Sequence, residues 1–341
     1  MDNILTRLLA ERGWLLADGA TGTNMFALGL AHGDAPELWN IEKPEMVRAH
    51  YRAFLDVGSD LVLTNSFGGT ANRLQLHGLA DRVHEINKAA AALLRQEIDA
   101  CGREVVCAGS VGPTGDLFEP IGPLTIEDGA GAFAAQMQGL KDGGADVVWI
   151  ETLSATEEIE AALIAADRVG IPAVCTLSFD TNGRTMMGIT PERFVTMMHE
   201  GAHRPVAFGG NCGTGAPDLL TGLISMRGRI ADADIVVAKA NCGIPEYREG
   251  AICYSGTADL MAAYAVLARD CGARIIGGCC GTTPEHLAAM KTALDTTPPG
   301  EPPTIHDIID RIGALTGTTA SLLDASAAPV VPAERRRRRR A

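Results

Sequence analysis

Eight apolar runs, each closing on small or polar turn residues and each separated from the next by a stretch of helical periodicity, constrain this chain more than any other feature. The runs are Leu15 to Thr23, Leu61 to Gly69, Val105 to Gly112, Val147 to Leu153, Ala173 to Phe179, Val206 to Cys212, Ile235 to Cys242 and Arg274 to Cys280. Near-continuous apolar character is what strands buried on both faces require, as in a parallel sheet. The segments between them read as helices. Pro44 to Val57 sets Met46, Val47, His50, Phe54 and Leu55 on one face, and Pro44, like Pro284 later, sits where a first helical turn accepts proline. Eight strand–helix units with no dinucleotide fingerprint and no sign of a reversed strand order favour a closed barrel over a doubly wound sheet. The expected fold is α/β, a single (β/α)8 TIM barrel.

The barrel is expected to fill residues 1–295. Thr296 to Pro303 carries four prolines and a glycine and reads as a stiff linker, with a short helix from His306 to about Leu315 completing a segment 296–325. Residues 326–341, with arginine from Arg335 to Arg340, read as a disordered basic tail. The chain carries a net charge of −13 even with that run, a balance that repels nucleic acid. No apolar stretch is long enough to cross a bilayer, and the first residues do not form a secretory signal, so no membrane partner and a cytoplasmic location are expected. The nine cysteines are scattered through apolar segments and are expected to be mostly reduced.

In such a barrel the chemistry sits at the carboxyl ends of the strands. Three cysteines stand there in glycine beds: Cys212 in Gly209–Gly213, and Cys279 with Cys280 in Gly277–Gly281. Strands six and eight are two apart around the mouth, so the sulfurs can converge. Adjacent strand residues face opposite ways, and Cys279 and Cys280 share a metal only if the backbone bends, which Gly277, Gly278 and Gly281 permit. Three thiolates leave one tetrahedral position open, the mark of a catalytic zinc site. They donate so much charge that the metal activates water poorly, yet it holds an incoming thiol as thiolate; the implied work is to make a substrate thiol nucleophilic. The plainer alternatives are buried thiols or a vicinal disulfide. Cys242, ending strand seven, is a possible further thiol near the trio.

These residues resemble the zinc-dependent homocysteine S-methyltransferases, a family that includes the betaine enzymes and the homocysteine-binding module of cobalamin-dependent methionine synthase. The likeness runs over essentially the whole barrel and rests on Asp18 to Thr23, Thr64 to Phe67, Glu151-Thr152, Gly210 to Cys212 and Gly277 to His286. It implies one Zn2+ on Cys212, Cys279 and Cys280, completed by homocysteine sulfur. It further implies that Asp18 and Glu151 receive the amino group, that amides near Gly19, Ala20 and Thr21 hold the carboxylate, and that Asn241 fills the fourth position without substrate. An ammonium needs anionic acceptors, and a carboxylate suits N–H groups in a glycine-rich turn.

The donor divides the family. A quaternary ammonium binds aromatic faces. Betaine enzymes carry tyrosines after the second and fourth strand motifs, where this chain has Gly68-Gly69 and Thr152, although Trp39 could supply one wall. Ser178 to Thr185 and Asn241 to Pro245 look more like the methionine synthase module. No Asp-x-His-x-x-Gly corrinoid motif is present, so a methyl group on a separate methylcorrinoid protein is the expected donor, with betaine or S-methylmethionine as alternatives. Two rivals of other classes are a non-catalytic zinc or thiol module, which would not need Asp18 and Glu151, and a barrel aldolase using Lys239.

Overall fold

The computed structural model describes residues 3–31, 33–248 and 251–316. Eight parallel strands form the barrel: β1 (Leu15–Leu16), β2 (Leu61–Leu63), β3 (Val106–Val111), β4 (Val147–Leu153), β5 (Ala173–Leu177), β6 (Ala207–Cys212), β7 (Val236–Ala240) and, after a hairpin of β8 (Pro245–Arg248) and β9 (Ala251–Tyr254), β10 (Ala273–Gly278). The hydrogen-bonded order is β1-β10-β7-β6-β5-β4-β3-β2, and a parallel bridge from Ala17 to Leu61 joins its two ends. The expected (β/α)8 barrel is therefore the observed one.

Alternation within each strand sorts the apolar side chains into two cores. Leu15, Leu61, Val106, Val147, Trp149, Val174, Val237 and Ile275 fill the inside, whereas Leu16, Val62, Cys107, Val148, Cys175, Val236 and Ile276 pack outward against the helices. Gly209 has no room for a side chain, since an added Cβ would lie 2.0 Å from Val237 O. The lower end of the barrel is filled by a helix that periodicity did not reveal, Ile4–Arg12, started by an Asn3–Thr6 capping box, with Leu5, Leu8 and Leu9 in the inner core.

Two strands are shorter than their apolar runs. β1 ends at Leu16, and after Ala17 the chain turns into a helix at Gly22–Ala27; β2 ends at Leu63 before a turn. Both apolar runs pass directly into turns of small and polar residues, Asp18 to Thr23 and Thr64 to Gly69, with no break in the sequence pattern to mark where the strand ends. The hairpin β8–β9 was not anticipated either. The helix Pro44–Asp56 buries Val47, His50, Tyr51, Phe54 and Leu55, with Met46 half-buried. The barrel's last helix is Pro284–Thr296; the following Ile305–Ile312 packs on helices Ala216–Met226 and Ala258–Asp270, with Thr316 Oγ1 donating to Asp218 (2.9 Å). The arginine run lies outside the described residues. Among the described residues no helix is long and apolar enough to cross a membrane.

Leu8 is fully buried where the N-terminal helix meets the inner strands. Leu8→Ala is expected to destabilise the fold by about 2–5 kcal/mol in denaturant titrations, because the barrel floor cannot collapse into the gap. A loss below about 1 kcal/mol would mean that the helix is not part of the core.

Candidate metal and substrate site

Cys212 closes β6 in the left-handed region (φ 58°), which turns its side chain off the strand's pleat. At the end of β10, Cys279 N–H continues the sheet by donating to Ala240 O (2.6 Å), then Thr282 N–H folds back onto Cys279 O (3.1 Å). Gly281 takes φ +77°, and a Cβ there would strike Tyr254. This turn lets two adjacent cysteines face one point. Their sulfurs and that of Cys212 lie within 4.8 Å of one another, with Cys212 and Cys280 4.0 Å apart. Zinc–sulfur bonds of about 2.3 Å in a tetrahedron put sulfurs roughly 3.8 Å apart, so the three donors fit that ion.

The thiols resist ionisation as a group. Contact with Cys212, joined by burial and the charge of Glu151, holds Cys279 well above the ordinary thiol range. Contact with Cys279 draws Cys212 down, but contact with Cys280 and burial outweigh it and leave Cys212 at about 12. Three adjacent thiolates need a nearby cation. Asn241 braces both turns: its Nδ2 donates to Gly213 O (2.6 Å) and its Oδ1 accepts from Cys280 N–H (3.0 Å). Cys242 is buried in the outer core and does not join the trio. Tyr254, at the end of the unanticipated hairpin, contacts Cys280 through its side chain.

Glu151 points inward from β4 beside this cluster. Thr152, after it, has φ 65° where the register with β5 shifts, an uncommon state for a β-branched residue. Asn211 holds it, accepting from Thr152 N–H (3.2 Å) and donating to Thr152 Oγ1 (2.7 Å). Ser110 Oγ donates to Glu151 Oε1 (2.6 Å). Burial raises the Glu151 carboxyl, and Lys239 pulls it back down.

Asp18 is fully buried. Its Oδ2 accepts from Leu63 N–H (2.7 Å), and its Oδ1 pairs with the buried Lys239 ammonium. From sequence, Lys239 stands out only as a Schiff-base candidate. Of the adjoining turn, Ala20 N–H already donates to Thr282 O (3.0 Å). His50, lowered to about 4 by burial, sets its Nε2 3.4 Å from Thr21 Oγ1.

These residues line a cavity of about 360 Å³, in the range that encloses a small ligand. Gly19, Ala20, Thr21, Glu151, Lys239, Cys212, Cys279 and Cys280 border it. Asp18 does not border the cavity but supports its floor. Phe26, Phe67 and Glu37 border the cavity as well. Glu37 is 6% exposed and accepts from Gly68 N–H (2.6 Å); its carboxyl is raised by burial. Trp39 does not border it. Its ring is packed in the outer core with Lys43 Nζ 4.1 Å above it, because the 3₁₀ turn Pro36–Leu38 directs it inward.

The chain is 28% identical over 314 residues to the methionine synthase of Mycobacterium tuberculosis (strain ATCC 25618 / H37Rv), a match covering 86% of this chain and 25% of that protein. It thus spans about a quarter of that relative's length. Crystal structures of the homocysteine methyltransferase MmuM from Escherichia coli superpose with TM-scores of 0.72 for the oxidised form and 0.71 for the metallated form. Each is 25% identical, and each match covers 85% of this chain and 99% of MmuM. The model of the homocysteine S-methyltransferase family matches residues 15–294, and the chain belongs to that family.

Proposed function

We propose that this protein is a zinc-dependent enzyme that transfers a methyl group to the thiol of homocysteine, giving methionine. The observation that carries the reading is the convergence of Cys212, Cys279 and Cys280 on the wall of a cavity that also holds the buried carboxylate of Glu151. One zinc held by the three cysteines would supply a Lewis acid that keeps a fourth, substrate sulfur ionised at neutral pH. Free thiols at such a seat suit a reducing compartment, the cytoplasm.

The chain's own residues do the rest. Glu151, fixed by Ser110, accepts the substrate ammonium, and Asp18 acts from beneath by holding Lys239 and the Leu63 amide in place. The turn at Gly19–Thr21 lies where it can meet the carboxylate. We assign Asn241 a bracing role, since the oxygen that would ligate a metal already accepts from Cys280 N–H. The substrate sulfur, having lost its proton on binding, displaces the donor's leaving group in line: an S–CH3 bond forms, the donor–CH3 bond breaks, and its electron pair leaves with the donor. No general base is required at that step.

For the donor, the cavity supports a small onium compound such as betaine or S-methylmethionine. Glu37 provides a buried carboxyl group, and Phe26 and Phe67 provide ring surface on the same cavity, the combination that suits a methylated cation. A protein-borne methylcorrinoid is favoured by a different observation: Leu28, Leu117, Ile121, Met186 and Ile244 are exposed on loops around the mouth, an apolar rim a partner could cover.

Turnover of the zinc-loaded protein with homocysteine is expected to yield methionine from betaine or S-methylmethionine. Methionine from methylcobalamin alone would return the corrinoid reading. Glu37→Gln keeps the bond to Gly68 and is expected to raise KM for the onium donor about tenfold while leaving KM for homocysteine in place. A change in the homocysteine value alone would place Glu37 on the acceptor side. Glu151→Ala should retain zinc yet weaken homocysteine binding by about tenfold or more in calorimetry; unchanged binding would favour a non-catalytic metal module.

A further inference from the structure

Lys239 is an unusual presence on a barrel floor: a lysine 1% exposed, inside the inner core, with its ammonium 5.6 Å from the Trp149 ring centroid. Burying an ammonium is costly unless its protons are satisfied. Asp18 accounts for two contacts, an ion pair through Oδ1 and a long one of 3.4 Å to its main-chain oxygen. An ammonium has three protons. The third has no acceptor among the hydrogen bonds of the described residues, and Lys239 borders the cavity.

Glu151 borders the same cavity, with Oε1 taken by Ser110, and it forms no ion pair with Lys239 within 4.0 Å. The floor therefore presents a donor on Lys239, held by Asp18, beside an acceptor oxygen on Glu151, with no direct ion pair between the two. An α-amino acid carries the complementary pair, a carboxylate and an ammonium on one carbon. We propose that Lys239 is a substrate-binding residue that takes the α-carboxylate while Glu151 takes the α-ammonium, so that the two together select a zwitterionic thiol. This rests on the homocysteine reading above and changes one part of it: the carboxylate is held by a buried charge as well as by backbone amides. Asp18 then acts as a positioning residue, since both its oxygens are committed to Leu63 and Lys239.

The test is calorimetric binding of three thiols to the zinc-loaded full chain: homocysteine, 3-mercaptopropylamine, which lacks the carboxylate, and 4-mercaptobutyrate, which lacks the ammonium. The wild-type protein is expected to prefer homocysteine to either analogue by about tenfold or more, the scale of one charge-assisted hydrogen bond. Lys239→Met should bring homocysteine and 3-mercaptopropylamine to within about threefold of each other while preserving the preference over 4-mercaptobutyrate. Glu151→Gln should do the converse. Because Lys239→Met leaves Asp18 buried without its partner, the double variant Asp18→Asn/Lys239→Met, which removes both charges, is measured beside it and should show the same selective loss. If both lysine variants weaken all three thiols alike, Lys239 is only a brace for Asp18 and the proposal is overturned. If the wild-type protein binds none of the thiols, the homocysteine reading itself falls.

Discussion

The site depends on one side chain that touches neither metal nor substrate. Asn211 spans from β6 to β4 and holds Thr152 in a left-handed conformation, while its neighbour Cys212 adopts the same conformation. Non-glycine residues in this region cost of order 1–3 kcal/mol each and persist only when the surroundings over-determine them. The return on that strain is geometric. Thr152 absorbs the register shift just beyond Glu151, which alternation with Val147 and Trp149 already points inward, and Cys212 leaves the pleat toward Cys280. A regular continuation of β6, in phase with the outward Phe208, would turn Cys212 away from the cavity.

The same logic governs the eighth barrel strand. Two adjacent cysteines cannot face one point from a regular strand, and the Cys279–Thr282 turn, with Gly281 beyond +70° and Asn241 clasping Cys280 N–H, removes the obstacle. Beneath these turns lies the Asp18–Lys239 pair, and beside it Glu151. On the proposed reading the floor receives the amino acid, the sulfur cluster its thiol through a metal, and Glu37, Phe26 and Phe67 border the space left for the methyl donor.

The barrel was legible because burial on both faces forces the β strands to be almost wholly apolar, and because eight such runs alternate with helices. Cys212, Cys279 and Cys280 were legible because cysteine at a strand end in a glycine bed has few structural reasons to be there. Other features left no local signal. The helix Ile4–Arg12 is short and weakly amphipathic, and its partner is the barrel floor rather than a neighbouring segment. Asp18 reads as a cavity residue from its position, yet its carboxylate is taken by Lys239, more than 200 residues later, a pairing that only closure of the barrel creates. Trp39 looked available from its place in the chain and is turned into the core by the short helix around it. Glu37 sits in an ordinary Pro-Glu-Leu turn, and its burial follows from the β2 loop folding over it.

Zinc-edge X-ray absorption, with and without homocysteine, tests the central claim most directly. The account predicts three protein sulfurs on zinc in the free protein and four sulfurs after homocysteine is added, with no protein sulfur lost. A sulfur count that stays at three in the presence of saturating homocysteine would contradict it.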